Sequence, residues 1–313
     1  MQPTTSAPPD ISPLGLRGNP GRHRRERMIE GILLAAALVS IVISVLIVWS
    51  LIGGAVEFVR QIVFDQLLAN GWYPRRNEFG ILTLFVGSLL VTGIALLMAV
   101  PVGLLTAIYL AEYANARARK IIKPVLEILA GIPSVVLGFF ALTWISPEIV
   151  QRVNPHSQDF NLAAAGLGVG ILTIPLVASI SEDAMRAVPR SLREASYGLG
   201  ARRVTTSLQI VVPAALSGIV AAIILGISRA IGETMVVAVA AGGSGGSQFT
   251  ANPFDPGQTI TAAMAALATG TDQVAGAAAA FQSLFFLGLV LFVITFALNQ
   301  FGDYFVRRTR LHY

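Results

Sequence analysis

Arg229 and Glu233 stand in "GISRAIGETMVV", residues 226 to 237, inside an otherwise apolar stretch that runs from Val211 to Ala241. A charge at the centre of a bilayer costs ~3 kcal/mol on insertion scales, so it is kept where it faces protein or a watery path. Arginine suits an oxyanion. Its planar fork meets tetrahedral oxygens bidentately, and it stays charged at every ordinary pH. A glutamate four residues on, one helical turn away, is placed to pair with it. Two roles are therefore open. The pair is a structural ion pair that orients helices, or Arg229 presents its guanidinium to an anion in transit while Glu233 moderates the attraction. A transit site must also release what it binds.

The surrounding spacing says which way these charges point. Gly218, Ala222, Gly226, Arg229 and Glu233 follow one another at four, four, three and four residues, one stripe of a helix. Small residues at that spacing let a second helix come close, which turns the stripe away from lipid.

The rest of the chain is built for lipid. Of 313 residues, 54% are hydrophobic and 12% charged, with a mean hydropathy of +0.71. Soluble domains carry about 25% charged residues. Apolar runs long enough to cross ~30 Å of hydrocarbon are predicted at 29–52, 81–111, 124–146, 161–181, 212–241 and 279–301. In lipid only a helix satisfies such a run by itself. The fold class expected is thus an all-α integral membrane protein with six transmembrane helices. Lysine and arginine number 17 in the tails and alternate loops and 4 in the others, which predicts both termini in the cytosol.

Residues 1–27, proline-rich and basic, read as a disordered cytosolic tail ahead of a membrane domain at 28–310. There is no cysteine, and His23, His156 and His312 lie far apart outside the apolar runs, so metal centres and cofactors are not expected. The positive balance reads as orientation rather than nucleic-acid binding. No G-x-x-x-x-G-K-[ST] occurs, and the only lysines are Lys120 and Lys123, so ATP hydrolysis belongs to another chain.

The loop at 182–213 carries a motif. Ser191 and Glu194 have capping-box spacing, which predicts a short helix stopped by Gly198 and Gly200. Pro101, Pro133 and Pro175 interrupt spans two, three and four, and Pro133 with Ser134 marks a candidate kink near a path or simply shapes packing. Glu112 and Glu127 read as structural, neutralised by Arg117 or Lys123. The glycine-rich outer loop "GGSGGSQFTANPFDPGQT" reads as a flexible connector or an external contact.

Glu194-Ala195-Ser196, Gly200 and Ile210-Val211-Val212-Pro213 resemble the EAA loop of ATP-binding-cassette importer permeases, with Ser196 and Val212 as mild departures. "EILAGIPSVVLGFF", "SLREASYGLGA" and "SRAIGETMVVAVAAG" together are similar to permease subunits of the high-affinity phosphate importer. "PGQTITAAMA" leans toward the PstC type rather than PstA. The resemblance implies a type I importer permease fold in a bacterial or archaeal inner membrane. It also implies a coupling helix in which Ser191, Glu194, Ala195, Ser196 and Gly200 serve contact with an ATPase. Arg229, Glu233 and Thr234 then belong to the phosphate path. The partners implied are a PstA-type second permease subunit, a PstB-type ATPase and a PstS-type phosphate-binding protein.

Other oxyanions, namely sulfate, molybdate and phosphonate, fit the same basic site. A self-sufficient secondary carrier is opposed by the EAA loop and by the lack of a second intramembrane acid for a proton relay. An intramembrane enzyme is opposed by the lack of any H-E-x-x-H or paired aspartates within the spans.

Overall fold

The computed structural model describes residues 20–242, 246–270 and 278–309. The expected disorder of the first nineteen residues, and part of the glycine-rich loop, lie outside them. Two units divide the chain, 1–50 and 51–313. The described part of the first is the opening of helix α1, Pro20–Gln61. Its middle, "GILLAAALVSIVISVLIVW", is apolar on every side, the pattern of a helix surrounded by lipid. Residues 20–27, expected as disordered tail, are already helical.

The second unit is organised around α5, Leu162–Arg186. It is preceded by α2 (Ile81–Ile108), α3 (Ala116–Ala130) and α4 (Ser134–Phe140). The run "AAAGLGVG" at the start of α5 explains its central place. Close approach between membrane helices needs small residues. A Cβ on Gly166 would sit 2.8 Å from Ile94, and one on Gly170 would meet the Ala95 carbonyl at 3.1 Å. On the other side, a Cβ on Gly103 of α2 would stand 2.9 Å from Val177.

Among the described residues five helices are long and apolar enough to cross a membrane. A pair bent by 70°, Arg203–Ala214 followed by α7 (Leu216–Ile231), makes a sixth when taken as one span. The six-helix expectation holds with corrected boundaries. The third span begins at Ser134, not 124. Residues up to Ala130 belong to α3, which is amphipathic and fully buries none of its side chains, and Gly131–Pro133 breaks the chain. Pro133 is the N-cap of α4, so it does interrupt. Pro101 and Pro175 instead lie within continuous α2 and α5. Residues 182–186, placed in the loop, finish α5.

The short helix expected in this loop is α6, Arg190–Gly198, with Pro189 at its N-cap and no side-chain cap. The capping box therefore does not form. Ser191 falls inside the first turn, because the helix starts two residues earlier than that spacing implies, with Pro189 rather than Ser191 as the N-cap. Gly200 takes φ +80 and turns the chain, whereas Gly198 is simply the last helical residue.

The fifth span is also not continuous to 241. It stops at Ile231, and α8 (Met235–Ala240) resumes after Gly232–Thr234. A further helix, α9 (Ile260–Ala268), precedes the last span, α10 (Ala278–Thr309). A small sheet orders Glu78–Phe79, Gly71–Tyr73 and Ser247–Gln248 side by side. Trp72 and Phe79 from that sheet share an apolar cluster with Phe58, Ile260 and Leu267.

Candidate functional site

The helix carrying Arg229 packs as its small stripe requires. A Cβ on Gly218 would lie 2.4 Å from that of Ala184, and one on Gly226 would meet Val177 and Thr173 at 3.2 and 3.3 Å. Ala222 is fully buried. α7 therefore runs along α5, and its side chains point back toward its N-terminus. Arg229, one turn beyond the last glycine, emerges exposed on the wall of a cavity of about 300 Å³. Lys123, Glu127 and Glu182 line the same cavity, with Pro175 and Ser179 on the α5 face between them.

Glu233 does something else. The expected Arg229–Glu233 ion pair is not formed, because α7 ends two residues before Glu233 and the one-turn geometry is lost. The Val236 backbone N–H donates to the Glu233 carboxylate at 3.4 Å, so Glu233 caps the start of α8. The Thr261 hydroxyl donates to the Glu233 carbonyl at 2.8 Å, tying the break to α9. Thr234 donates to the Gly232 carbonyl at 3.3 Å. Arg229 is left without an ion pair among the described residues. Pro133 and Ser134 do not line the cavity, although Ala130 just before the break does.

The acid at the far end of the cavity was not singled out from the sequence. Glu182 is 1% exposed, with Lys123 at 3.5 Å, Arg186 at 3.5 Å and Arg119 at 3.8 Å. Burying a lone carboxylate costs several kcal/mol. Three cations within 4 Å of the carboxylate offset that cost. The one legible signal was Glu182 four residues before Arg186 at the end of an apolar run.

Behind α6 the expected neutralising partners are also corrected. Glu112, buried in a π-turn at Tyr109–Tyr113, pairs with Arg193 of α6 at 2.9 Å rather than with Arg117 or Lys123. Arg193 donates as well to the carbonyls of Val188 and Met185 at 2.7 and 2.8 Å. Arg203 donates to the Glu112 carbonyl. Of the motif residues, Ser191, Glu194, Ala195 and Gly200 are exposed. Ser196 is buried, 2.8 Å from the Thr206 hydroxyl. Its substitution for the motif's second alanine thus creates a hydrogen bond inside the loop.

A bundle of apolar helices with an amphipathic helix beside its spans and a cavity lined by charged side chains is the architecture of a transport permease. The match agrees. Residues 99–311 fit the family model described as binding-protein-dependent transport system inner membrane component, and the chain belongs to that family. It is 35% identical over 277 residues to the probable ABC transporter permease protein YqgH of Bacillus subtilis, covering 87% of each chain. It is 31% identical to the phosphate transport system permease protein PstC of Mesorhizobium japonicum (88% of each chain) and 33% identical to that of Haemophilus influenzae (84% of each). Among solved structures, a bacterial ABC transporter involved in import of the acidic polysaccharide alginate matches with a TM-score of 0.63 at 14% identity. That match covers 92% of this chain and 99% of the other. The MetNI methionine ABC transporter matches with a TM-score of 0.53 at 18% identity, covering 74% and 94%. The fold is that of a type I ABC importer permease.

Proposed function

We propose that this chain is the PstC-type permease subunit of an ATP-driven phosphate importer. It forms half of the translocation path beside a PstA-type subunit. A PstB-type ATPase docks on α6 at the cytosolic face, and a PstS-type binding protein delivers phosphate to the outer face. Both termini are cytosolic in this arrangement, as the charge distribution requires. The chain itself performs no hydrolysis.

The observation that carries the phosphate reading is Arg229, exposed on the cavity wall with no carboxylate paired to it among the described residues. An unpaired guanidinium inside a membrane protein needs an anion, and a tetrahedral oxyanion fits its fork. Relatives named as phosphate permeases, similar over more than four-fifths of the chain, support the choice of anion. Phosphate enters from the outer side of Arg229, is held there while the outer face closes, and leaves through the cavity toward the end of α5. The exposed face of α6 transmits movement of the ATPase. Arg193 and Glu112 carry that movement into α2, because they fasten α6 to its cytosolic end.

Reconstitution tests this reading. Phosphate uptake into proteoliposomes is expected only with ATP and all partner subunits present. Uptake by this chain alone would identify a secondary carrier instead.

A further inference from the structure

Gly218 packs on Ala184 and Gly226 on Val177 and Thr173, so α7 runs antiparallel to α5 and Arg229 starts from the Leu172 end of the cavity, with Glu182 and Lys123 toward the other. The α5 face between them carries Leu172, Pro175, Ser179 and Glu182 at spacings of three and four, so the cavity follows one side of that helix. From Leu172 to Glu182 the wall is about 15 Å long at 1.5 Å per residue, more than one oxyanion can bridge. An anion leaving Arg229 along that face therefore meets a second group of cations, around Glu182, before it reaches water.

We propose that Lys123 is a second oxyanion station, at the exit of the path, and that Glu182 is the built-in anion that empties it. This rests on the import reading above. Lys123 makes no hydrogen bond among the described residues and touches Glu182 only as an ion pair, 3.5 Å apart, so its ammonium donors are available. Glu182 does not depend on Lys123. When Lys123 turns to a passing oxyanion, Arg119 and Arg186 still hold the buried carboxylate at 3.8 and 3.5 Å. Three cations around one acid leave a positive excess that draws the anion in. Glu127 opposes it: one turn after Lys123 on α3 and exposed on the same wall, it keeps the attraction weak. Return of Lys123 to Glu182 then displaces the anion to the cytosol. Binding favourable enough to enter yet weak enough to leave is what a conducting site requires.

The test uses the complete importer in proteoliposomes, with inorganic phosphate as the probe. Lys123→Gln is expected to lower the maximal uptake rate about tenfold, with half-saturation close to that of the wild type, because loading occurs upstream. Lys123→Arg, which keeps the charge, is expected to retain most of the rate. In the nucleotide-free complex, retained radiolabelled phosphate is expected to fall in Lys123→Gln and rise in Glu182→Gln, where the buried carboxylate no longer competes for Lys123. Lys123 is half-buried, so its variants test the site even where Glu182→Gln fails to fold. Wild-type uptake by Lys123→Gln in a complex that imports phosphate would overturn the exit station alone. So would equal loss in Lys123→Gln and Lys123→Arg, which marks a packing role. A wild-type complex that imports no phosphate would overturn the import reading itself.

Discussion

Arg229 and Glu233 divide the work that one spacing seemed to assign to a pair. A helix continuing to Ala241 would have neutralised the arginine and left nothing for an anion to bind. The break at Gly232 gives Glu233 to the α8 backbone and leaves Arg229 facing the cavity. Arg229→Ala is accordingly expected to lower phosphate uptake by at least about tenfold in an assembled importer. Arg229→Lys keeps the charge but loses the fork, and falls between the two. Glu233→Gln is expected to keep substantial uptake, because an amide oxygen still caps α8. Uptake assays beside a membrane-expression control separate lost transport from lost protein. At the coupling loop, Arg193→Ala strands Glu112 in the protein. Removing one partner of a buried pair costs about 3–5 kcal/mol, so a lower melting temperature is expected in detergent together with weaker coupling of ATP hydrolysis to uptake. Arg193→Lys is not expected to rescue fully, since one ammonium cannot reproduce contacts to Glu112, Met185 and Val188 together.

The spans, the short loop helix and the packed stripe of α7 were legible in the sequence, because each follows from a local pattern: apolar length, motif spacing, or small residues every fourth position. Breaks were less legible. Residues 124–133 and 232–234 adjoin apolar runs, and whether the helix continues there depends on tertiary partners such as the Thr261 hydroxyl on the Glu233 carbonyl. Glu182 was hidden for the same reason, since two of its three cations come from α3. Glycines offer a direct test at this scale. Gly218→Ala places a methyl 2.4 Å from Ala184 and is expected to destabilise the α5–α7 contact by about 1–3 kcal/mol. Gly93→Ala in α2 meets nothing within 4 Å and is expected to be neutral or to add about 0.5–1 kcal/mol of helix stability. Thermal unfolding of the two variants compares them.

In the proposed importer the molecule as a whole is half of the translocation machinery. Its cavity is open, most of α6 is exposed, and its sequence has no G-x-x-x-x-G-K-[ST] loop. In the proposed importer, completion falls to other chains, a second permease for the facing wall and an ATPase for α6. The central claim is that such an assembly moves phosphate through the cavity that Arg229 lines. The most direct measurement is ATP-dependent accumulation of radiolabelled phosphate in proteoliposomes holding the complete importer, with wild-type or Arg229→Ala chain and excess sulfate outside. Phosphate is expected to accumulate in the wild type, unaffected by sulfate, and to fall at least about tenfold in the variant. Accumulation at the wild-type rate in Arg229→Ala, or accumulation of sulfate in place of phosphate, would contradict the account.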